Sequence, residues 1–232
     1  MKAISTILAA TICILTAGAA QPTPRLVAGV RTAALARSES GQQVDGIAVR
    51  IEDDIIMESQ VRELGKFQQL VDGKPEPRAE ILKELEDQWI IRGEAKTTNF
   101  APPSTADVDR EYAAFVKQFG SEEDFQKQLQ SVGLTEKDVR RLLADQLYFS
   151  RFLDYRFRPA AQVDDVQVAA YYHDEFAPAM KAKGLAVPPL DAVQDKIHEV
   201  LVQRSITEHA DKWLDETREQ LRIEIPGGGS GE

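Results

Sequence analysis

Between Thr105 and Pro159 the chain alternates three helix starts with three stops, and that punctuation leaves room for helices and little else. Thr105 precedes a segment in which Val108, Tyr112, Phe115 and Phe119 recur at spacings of four, three and four, one apolar stripe of a helix. Gly120 stops it. Ser121-Glu122-Glu123-Asp124 has the form of a capping box with Asp in place of the usual Glu, and opens a short helix holding Phe125, Leu129 and Val132 before Gly133. Thr135-Glu136-Lys137-Asp138 caps a longer helix that runs to about Arg158, where Pro159 ends it. At 1.5 Å per residue this helix is about 36 Å long.

The same reading extends in both directions. A helix is expected from Ser59 to about Val71, punctuated by Gly73, Pro75 and Pro77. A second follows to about Lys96 with Leu82, Leu85 and Trp89 on one side, and Asn99 to Pro103 forms the next break. After Pro159, Val163-Asp164-Asp165-Val166 repeats the logic of Ala106-Asp107-Val108, acids in a first turn where the helix dipole favours them. It leads into Tyr171, Tyr172, Phe176 and Met180. The last helix starts near Pro189 and runs to about Leu221, and its apolar face changes along its length. Leu190, Val193, Ile197, Val200 and Leu201 line one side, whereas Ile206, Trp213, Thr217 and Leu221 lie roughly opposite. Either it bends near Gln203 to Ser205 or it changes packing partner.

Strand signals are confined to two places. Val44 to Ile51 alternates and fills with β-formers, Glu52-Asp53-Asp54 breaks the run, and Ile55 to Met57 continues it, a hairpin signal with Ser59 as N-cap of the helix beyond. Arg222-Ile223-Glu224-Ile225 is strand-like and is placed to add to that hairpin. The fold class expected is mainly α with a small β-hairpin, joined by a C-terminal strand.

The first twenty residues have the form of a cleavable signal peptide. Lys2 is their only charge, Ile4 to Leu15 is apolar, and Ala17-Gly18-Ala19 offers small residues for cleavage after Ala19 or Ala20. The run is shorter than the roughly 20 apolar residues of a spanning helix, so no integral membrane segment is expected after cleavage. The one cysteine, Cys13, lies inside it, which removes disulfides, thiol catalysis and cysteine-held metals from the processed chain. The formal charge of -10 becomes -11 when Lys2 is lost, an argument against nucleic acid or an anionic membrane as the main partner. Gln21 to Gln43 and Pro226 to Glu232 are expected to be flexible segments.

A search for chemistry finds little. His198 and His209, eleven residues apart on one helix, are about 16 Å from each other and cannot share a metal. His173 lies beside an apolar face, where a structural role fits. Asp53-Asp54, Glu122 to Asp124 and Asp164-Asp165 are explained by turns and helix starts, so no metal, cofactor or catalytic residue is assigned. No phosphate-binding glycine loop and no activated nucleophile are recognisable. What stands out is aromatic. On the long helix Val139, Leu142, Leu143, Leu153 and Phe157 cluster on one side while Tyr148, Phe152 and Tyr155 gather nearly opposite. A surface helix needs one such stripe, so the second either packs on another helix or forms a binding surface. Tyr148, Phe152 and Tyr155, followed by Tyr172, Phe176 and Met180, are the candidate contact residues for a bound polypeptide, because rings give contact area at low entropy cost and methionine adapts. Tyr112, Phe115 and Phe119 are assigned to the core.

The order of these parts resembles the SurA-type periplasmic chaperones. The carriers are Asp45 with the hairpin and Glu58-Ser59; Phe119-Gly120-Ser121, Phe125, Leu129, Gly133-Leu134-Thr135 and Val139-Arg140; Val163 to Tyr172; and Trp213-Leu214 with Arg222 to Ile225. The resemblance implies an amino-terminal helical module over residues 44–182, with a helix and strand over 183–225 packing on it. It implies a periplasmic, ATP-independent chaperone for unfolded exported polypeptides such as outer-membrane β-barrel precursors, self-association being open. Relatives with a prolyl isomerase domain carry roughly a hundred extra residues near Met180 to Pro189, where this chain has only Lys181 to Pro188. The enzyme is therefore not expected. The competing readings are an adaptor with one fixed partner and, behind it, a residual prolyl isomerase.

Overall fold

The computed structural model describes residues 45–226. The expected signal peptide and the segments 21–43 and 227–232 lie outside the described residues. The architecture is mainly α-helical with a small antiparallel sheet. Strands β1 (Ile47–Ile51) and β2 (Asp54–Met57) form the hairpin, turned through Glu52 in the left-handed region at φ 49. Helix α1 (Glu58–Asp72) follows directly, then α2 (Arg78–Thr97), α3 (Thr105–Val116), α4 (Glu122–Val132) and the long α5 (Glu136–Phe157). Helix α6 (Asp165–Tyr171) passes through a π-helical turn (Tyr172–Phe176) into α7 (Ala177–Ala182), and α8 (Leu190–Arg218) leads to strand β3 (Ile223–Glu224).

The caps explain most of the boundaries. Thr135 and Asp138 form a reciprocal box: each side chain accepts the other residue's backbone N–H, at 3.2 and 2.9 Å. At Ser121 only the forward half is made, Oγ accepting the Asp124 N–H at 3.1 Å. The cap of α3 is Ser104, paired with Asp107, one residue ahead of the expected Thr105. Ser59 is not an N-cap either. The helix starts at Glu58, and the Ser59 N–H is met by the carboxylate of Asp45 at 3.0 Å, fourteen residues upstream. Gly133, at φ 66, ends α4 in a Schellman turn, with Gly133 N–H donating to the Gln130 carbonyl and Leu134 N–H to that of Leu129.

Three buried clusters are shared among the long helices. Under the sheet, Val49, Ile51 and Ile56 meet Val61 and Leu64 of α1 and Ile81 and Leu82 of α2. Further along α1, Phe67 and Leu70 turn to Tyr112, Phe115, Phe125, Leu129, Val139 and Leu143 of α3, α4 and α5. Further along α2, Ile90, Ile91 and Ala95 meet Phe149, Phe152 and Leu153 of α5 and Val202, Ile206, Ala210 and Leu214 of α8. Tyr112 and Phe115 are core as expected, with Phe119 half-buried against them. Helix α8 is continuous and changes partner. Its first half lies along α6 and the π turn, with Gln194 donating to Asp165 and Arg204 paired with Glu175; its second half packs on α2 and α5.

Strand β3 pairs antiparallel with β1, Arg50 opposite Glu224 and Ile51 opposite Ile223, so the sheet order is β2-β1-β3. Just before it, the Arg218 guanidinium reaches the buried carboxylates of α2. It contacts Asp87, lies 3.3 Å from Glu86 and holds Asp215 at 2.7 Å. Burial pushes the Asp87 carboxyl up to about 6, against the pull of Arg218 and Lys83. Replacing Arg218 with Ala leaves buried Glu86 without its cation and Asp87 with Lys83 alone, 3.7 Å away, and should cost about 2–3 kcal/mol in urea denaturation. Arg222→Ala, which removes only exposed pairs with Glu52 and Asp53, should change stability by less than about 0.5 kcal/mol.

Candidate functional site

Two hollows lie end to end along the seam between α2 and α5, sharing Arg92 and Asp145. The first, about 460 Å³, is walled by Ile55 and Ile56 of β2 and by Gln60, Glu63 and Leu64 of α1, with Leu85, Trp89 and Leu142 supplying its apolar surface. The second, about 640 Å³, runs on past Phe100, Pro102 and Pro103 to Tyr148. The sequence makes this seam because α2 and α5 each carry apolar residues on more than one face. Those that are only partly buried at the edge of a cluster line the groove.

Its charges are neutralised in place. Arg92 bonds Asp145 at 3.2 Å and lies over the Phe149 ring at 5.2 Å, while Arg141 bonds Glu63 and approaches Asp145 at 3.9 Å. The first hollow therefore offers apolar side chains between paired ions, and Lys96 adds one cation at the second. Behind its wall, Glu84 is buried between α1 and α2. It accepts from Gln68 at 2.9 Å and from Gln88, a groove residue, at 3.3 Å. Gln68 is pinned in turn by the Glu76 N–H at 3.0 Å. No cation faces Glu84 in this set of contacts, and burial raises its pKa to about 7, with the nearby charges of Asp87 and Glu76 adding to the rise.

At the far end the chain leaves α2 through Asn99, in the left-handed region at φ 52, with the Phe100 N–H donating back to the Ala95 carbonyl at 2.9 Å. That turn drops the Phe100 ring among three aromatic residues of α5. Its centroid lies 5.7 Å from Tyr148, 5.4 Å from Phe152 and 5.3 Å from Tyr155. The Tyr148 hydroxyl donates to the Phe100 carbonyl at 3.3 Å.

The six expected contact residues fall in different environments. Tyr155 is 62% exposed and Tyr148 is half-buried at the groove's end. Phe152 is fully buried. Although it shares a helical face with the two tyrosines, Phe100 and the α2–α8 core close over it, so it leaves the candidate surface. Tyr172, Phe176 and Met180 are half-buried and lie apart from the groove, on and beside the π turn. There Tyr172 stacks on Phe176 at 5.8 Å and donates to the Pro188 carbonyl at 2.8 Å. They form a second, smaller patch.

Sequence reasoning missed Phe100, Ile55 and the pairing of Arg92 and Arg141. The available signals were an aromatic residue inside a proline break and an isoleucine on a strand with only one neighbour. Trp89 and Leu85 were read as helix-face residues, and both face the groove.

Among the described residues, no group of three or more side chains is placed to hold a metal. His173 is exposed, its ring edge-on to Tyr172, and His209 donates from Nδ1 to the Ser205 carbonyl at 2.7 Å within its own helix. No described helix is long and apolar enough to cross a membrane. A scan against family models and a search of curated proteins find no match to this chain.

Two measurements follow from the geometry. Phe152→Ala should cost about 3–5 kcal/mol in chemical denaturation, and Tyr155→Ala, three residues on, less than about 0.5 kcal/mol. Glu84→Gln should change the pH dependence of stability. Because the Glu84 pKa is raised on folding from 4.5 to about 7, its penalty is full above pH 7 and gone below about pH 4.5. The variant should therefore gain on the wild type above pH 7, with the gain shrinking as the pH falls through that window.

Proposed function

We propose that this protein is an ATP-independent chaperone that holds unfolded exported polypeptides, outer-membrane β-barrel precursors among them, in the periplasm. The observation that carries the reading is the long mixed groove between α2 and α5, open at Ile55, lined by Leu85, Trp89, Leu142, Phe100 and Tyr148, and continued beyond Phe100 by the exposed Tyr155 ring. A groove with apolar rungs and mostly paired charges suits a ligand class defined by exposed apolar side chains rather than by one sequence. Barrel precursors alternate apolar and polar residues and aggregate through strand edges, so they present this chemistry. The motif order that resembles the SurA-type module, together with the export-like amino terminus, supports the same reading.

The mechanism asks for no chemical step. A client that binds only while unfolded is withdrawn from aggregation by mass action and released when it folds or meets a better acceptor. Many weak contacts, each worth about 1 kcal/mol or less, make such release fast. A prolyl isomerase would need a compact pocket, for which Lys181 to Pro188 leaves no domain-sized insertion.

The test is light scattering of a denatured outer-membrane barrel protein diluted with and without this chain. Suppression is expected at near-stoichiometric ratios. The double variant Ile55→Ser, Tyr155→Ser, which alters an exposed side chain of the first hollow and one packed on Phe100 just beyond the second, should need about tenfold more protein for equal effect, with helix content unchanged. A folded wild-type chain that gives no suppression at any ratio overturns the proposal. Recovery of one folded partner at fixed stoichiometry would favour an adaptor instead.

A further inference from the structure

We propose that the side-chain amide of Gln88 is a proton-controlled contact in the first hollow. It offers its oxygen to the backbone N–H of a bound chain while Glu84 is ionised, and turns over to offer its NH2 group once Glu84 takes up a proton. That a bound chain feels the change rests on the client reading above; the turn-over itself rests on the wall. Glu84 is 7% exposed, and as a carboxylate it can only accept. Gln68 donates to its Oε2 at 2.9 Å and Gln88 to its Oε1 at 3.3 Å. Gln68 is not free to turn, because its own oxygen accepts the Glu76 N–H at 3.0 Å.

A proton on Glu84 therefore has one place to go. On Oε2 it would point at the Gln68 NH2, donor against donor; on Oε1 it meets Gln88, which can present its oxygen instead. A half-turn about the last side-chain torsion of Gln88 suffices, a torsion with roughly two broad wells, and the hollow beyond it, about 460 Å³, leaves room. Burial lifts the Glu84 carboxyl to about 7, with Asp87 and Glu76 adding to the rise, so the exchange falls in the neutral range. The cations of the neighbouring elements are engaged elsewhere. Arg92 and Arg141 pair with Asp145 and Glu63 across the hollow, and beside α8 Arg218 and Lys83 serve Glu86, Asp87 and Asp215.

The other polar groups of the hollow are fixed. Its four ions pair with one another, and the Trp89 indole N–H donates to Asp54 at 2.9 Å. Gln60 is held in one sense, its oxygen accepting the Met57 N–H at 2.8 Å, which leaves its NH2 as a donor. Gln88 is half-buried, and among the described residues no donor reaches its oxygen, so that oxygen is what it presents between Leu85 and Trp89. With Glu84 ionised the hollow thus holds an acceptor and a donor, the two groups that an extended backbone complements. With Glu84 protonated both amides are donors, and a backbone N–H that had bonded Gln88 is left facing one. Binding should then weaken by about fivefold, the effect of one neutral hydrogen bond.

The test follows the Gln88 side-chain amide by NMR in the isotope-labelled full chain, its signal identified by loss in Gln88→Leu. The signal should shift with pH in step with the Glu84 carboxyl carbon. In Glu84→Gln it should hold the low-pH position of the wild type at every pH, because the new amide must turn its oxygen to Gln68 and its NH2 to Gln88. A signal that stays put while Glu84 titrates, or that moves alike in Glu84→Gln, overturns the proposal. The second arm adds a fluorescently labelled unfolded segment of an outer-membrane barrel protein, chosen without histidine. The wild type should bind it about fivefold more weakly near pH 6 than near pH 8, and Glu84→Gln should bind at the weaker level at both. An amide that turns over while the wild type and Glu84→Gln bind alike overturns the contact and leaves the client reading intact. A folded wild-type chain that binds no segment at either pH counts against the client reading and takes the contact with it, whatever the amide signal shows.

Discussion

The guanidinium of Arg218 fixes the geometry on which the groove depends. It enters from the end of α8 among carboxylates that belong to α2, where Glu86 and Asp87 are both buried. Desolvating three charged groups is expensive, and an apolar substitute of the same shape would often cost less. What the ion cluster adds is position: α8 can end in only one place along α2. Five residues later β3 must then fall beside β1, preceded by Arg222, whose carbonyl accepts the Glu52 N–H at 3.0 Å and whose N–H donates to the Glu52 carboxylate at 2.7 Å. With β1 flanked on that side, β2 is held as the other edge, and Ile55 and Ile56 become a wall of the groove.

The second constraint is that the long helices each serve more than one core. Along α5, Val139 and Leu143 pack toward α3 and α4, and Phe149, Phe152 and Leu153, two turns on, pack toward α2 and α8. The two apolar faces of this helix are thus two packing regions at different heights, with a short remainder left over at Leu142, Tyr148 and Tyr155. The same division on α2 leaves Leu85 and Trp89 half-exposed. Where two helices both have such remainders and lie side by side, the remainders face one another. The groove is the consequence of packing geometry, and the Arg92–Asp145 and Arg141–Glu63 pairs span it.

A surface built this way suits loose, repeated recognition. Arg92, Arg141, Glu63 and Asp145 satisfy one another, so a ligand gains little by bringing a charge to the middle of the groove and more by bringing apolar side chains to its rungs. Buried Glu84 lies behind Gln88 in the same wall, so protonation in the neutral range acts on the stability of this wall.

Much of this was legible without coordinates. The stops at Gly120 and Gly133, the box at Thr135, the hairpin over Ile47 to Met57 and the joining of the closing strand to it are local or near-local signals, because a cap, a turn or an alternating strand is decided by neighbouring residues. Ser59 shows the limit: its helix begins one residue earlier, since the carboxylate that serves its N–H comes from Asp45, which no local rule identifies. The site was only half legible. Tyr148, Phe152 and Tyr155 share a face by periodicity alone, and the sequence determined that grouping. It could not separate exposed Tyr155 from buried Phe152. That difference was made by Phe100, folded back from 48 residues before Tyr148, and by α8, which covers one end of the stripe and not the other. Helical period fixes the direction in which a side chain points, and only the packing of distant segments decides what it meets there.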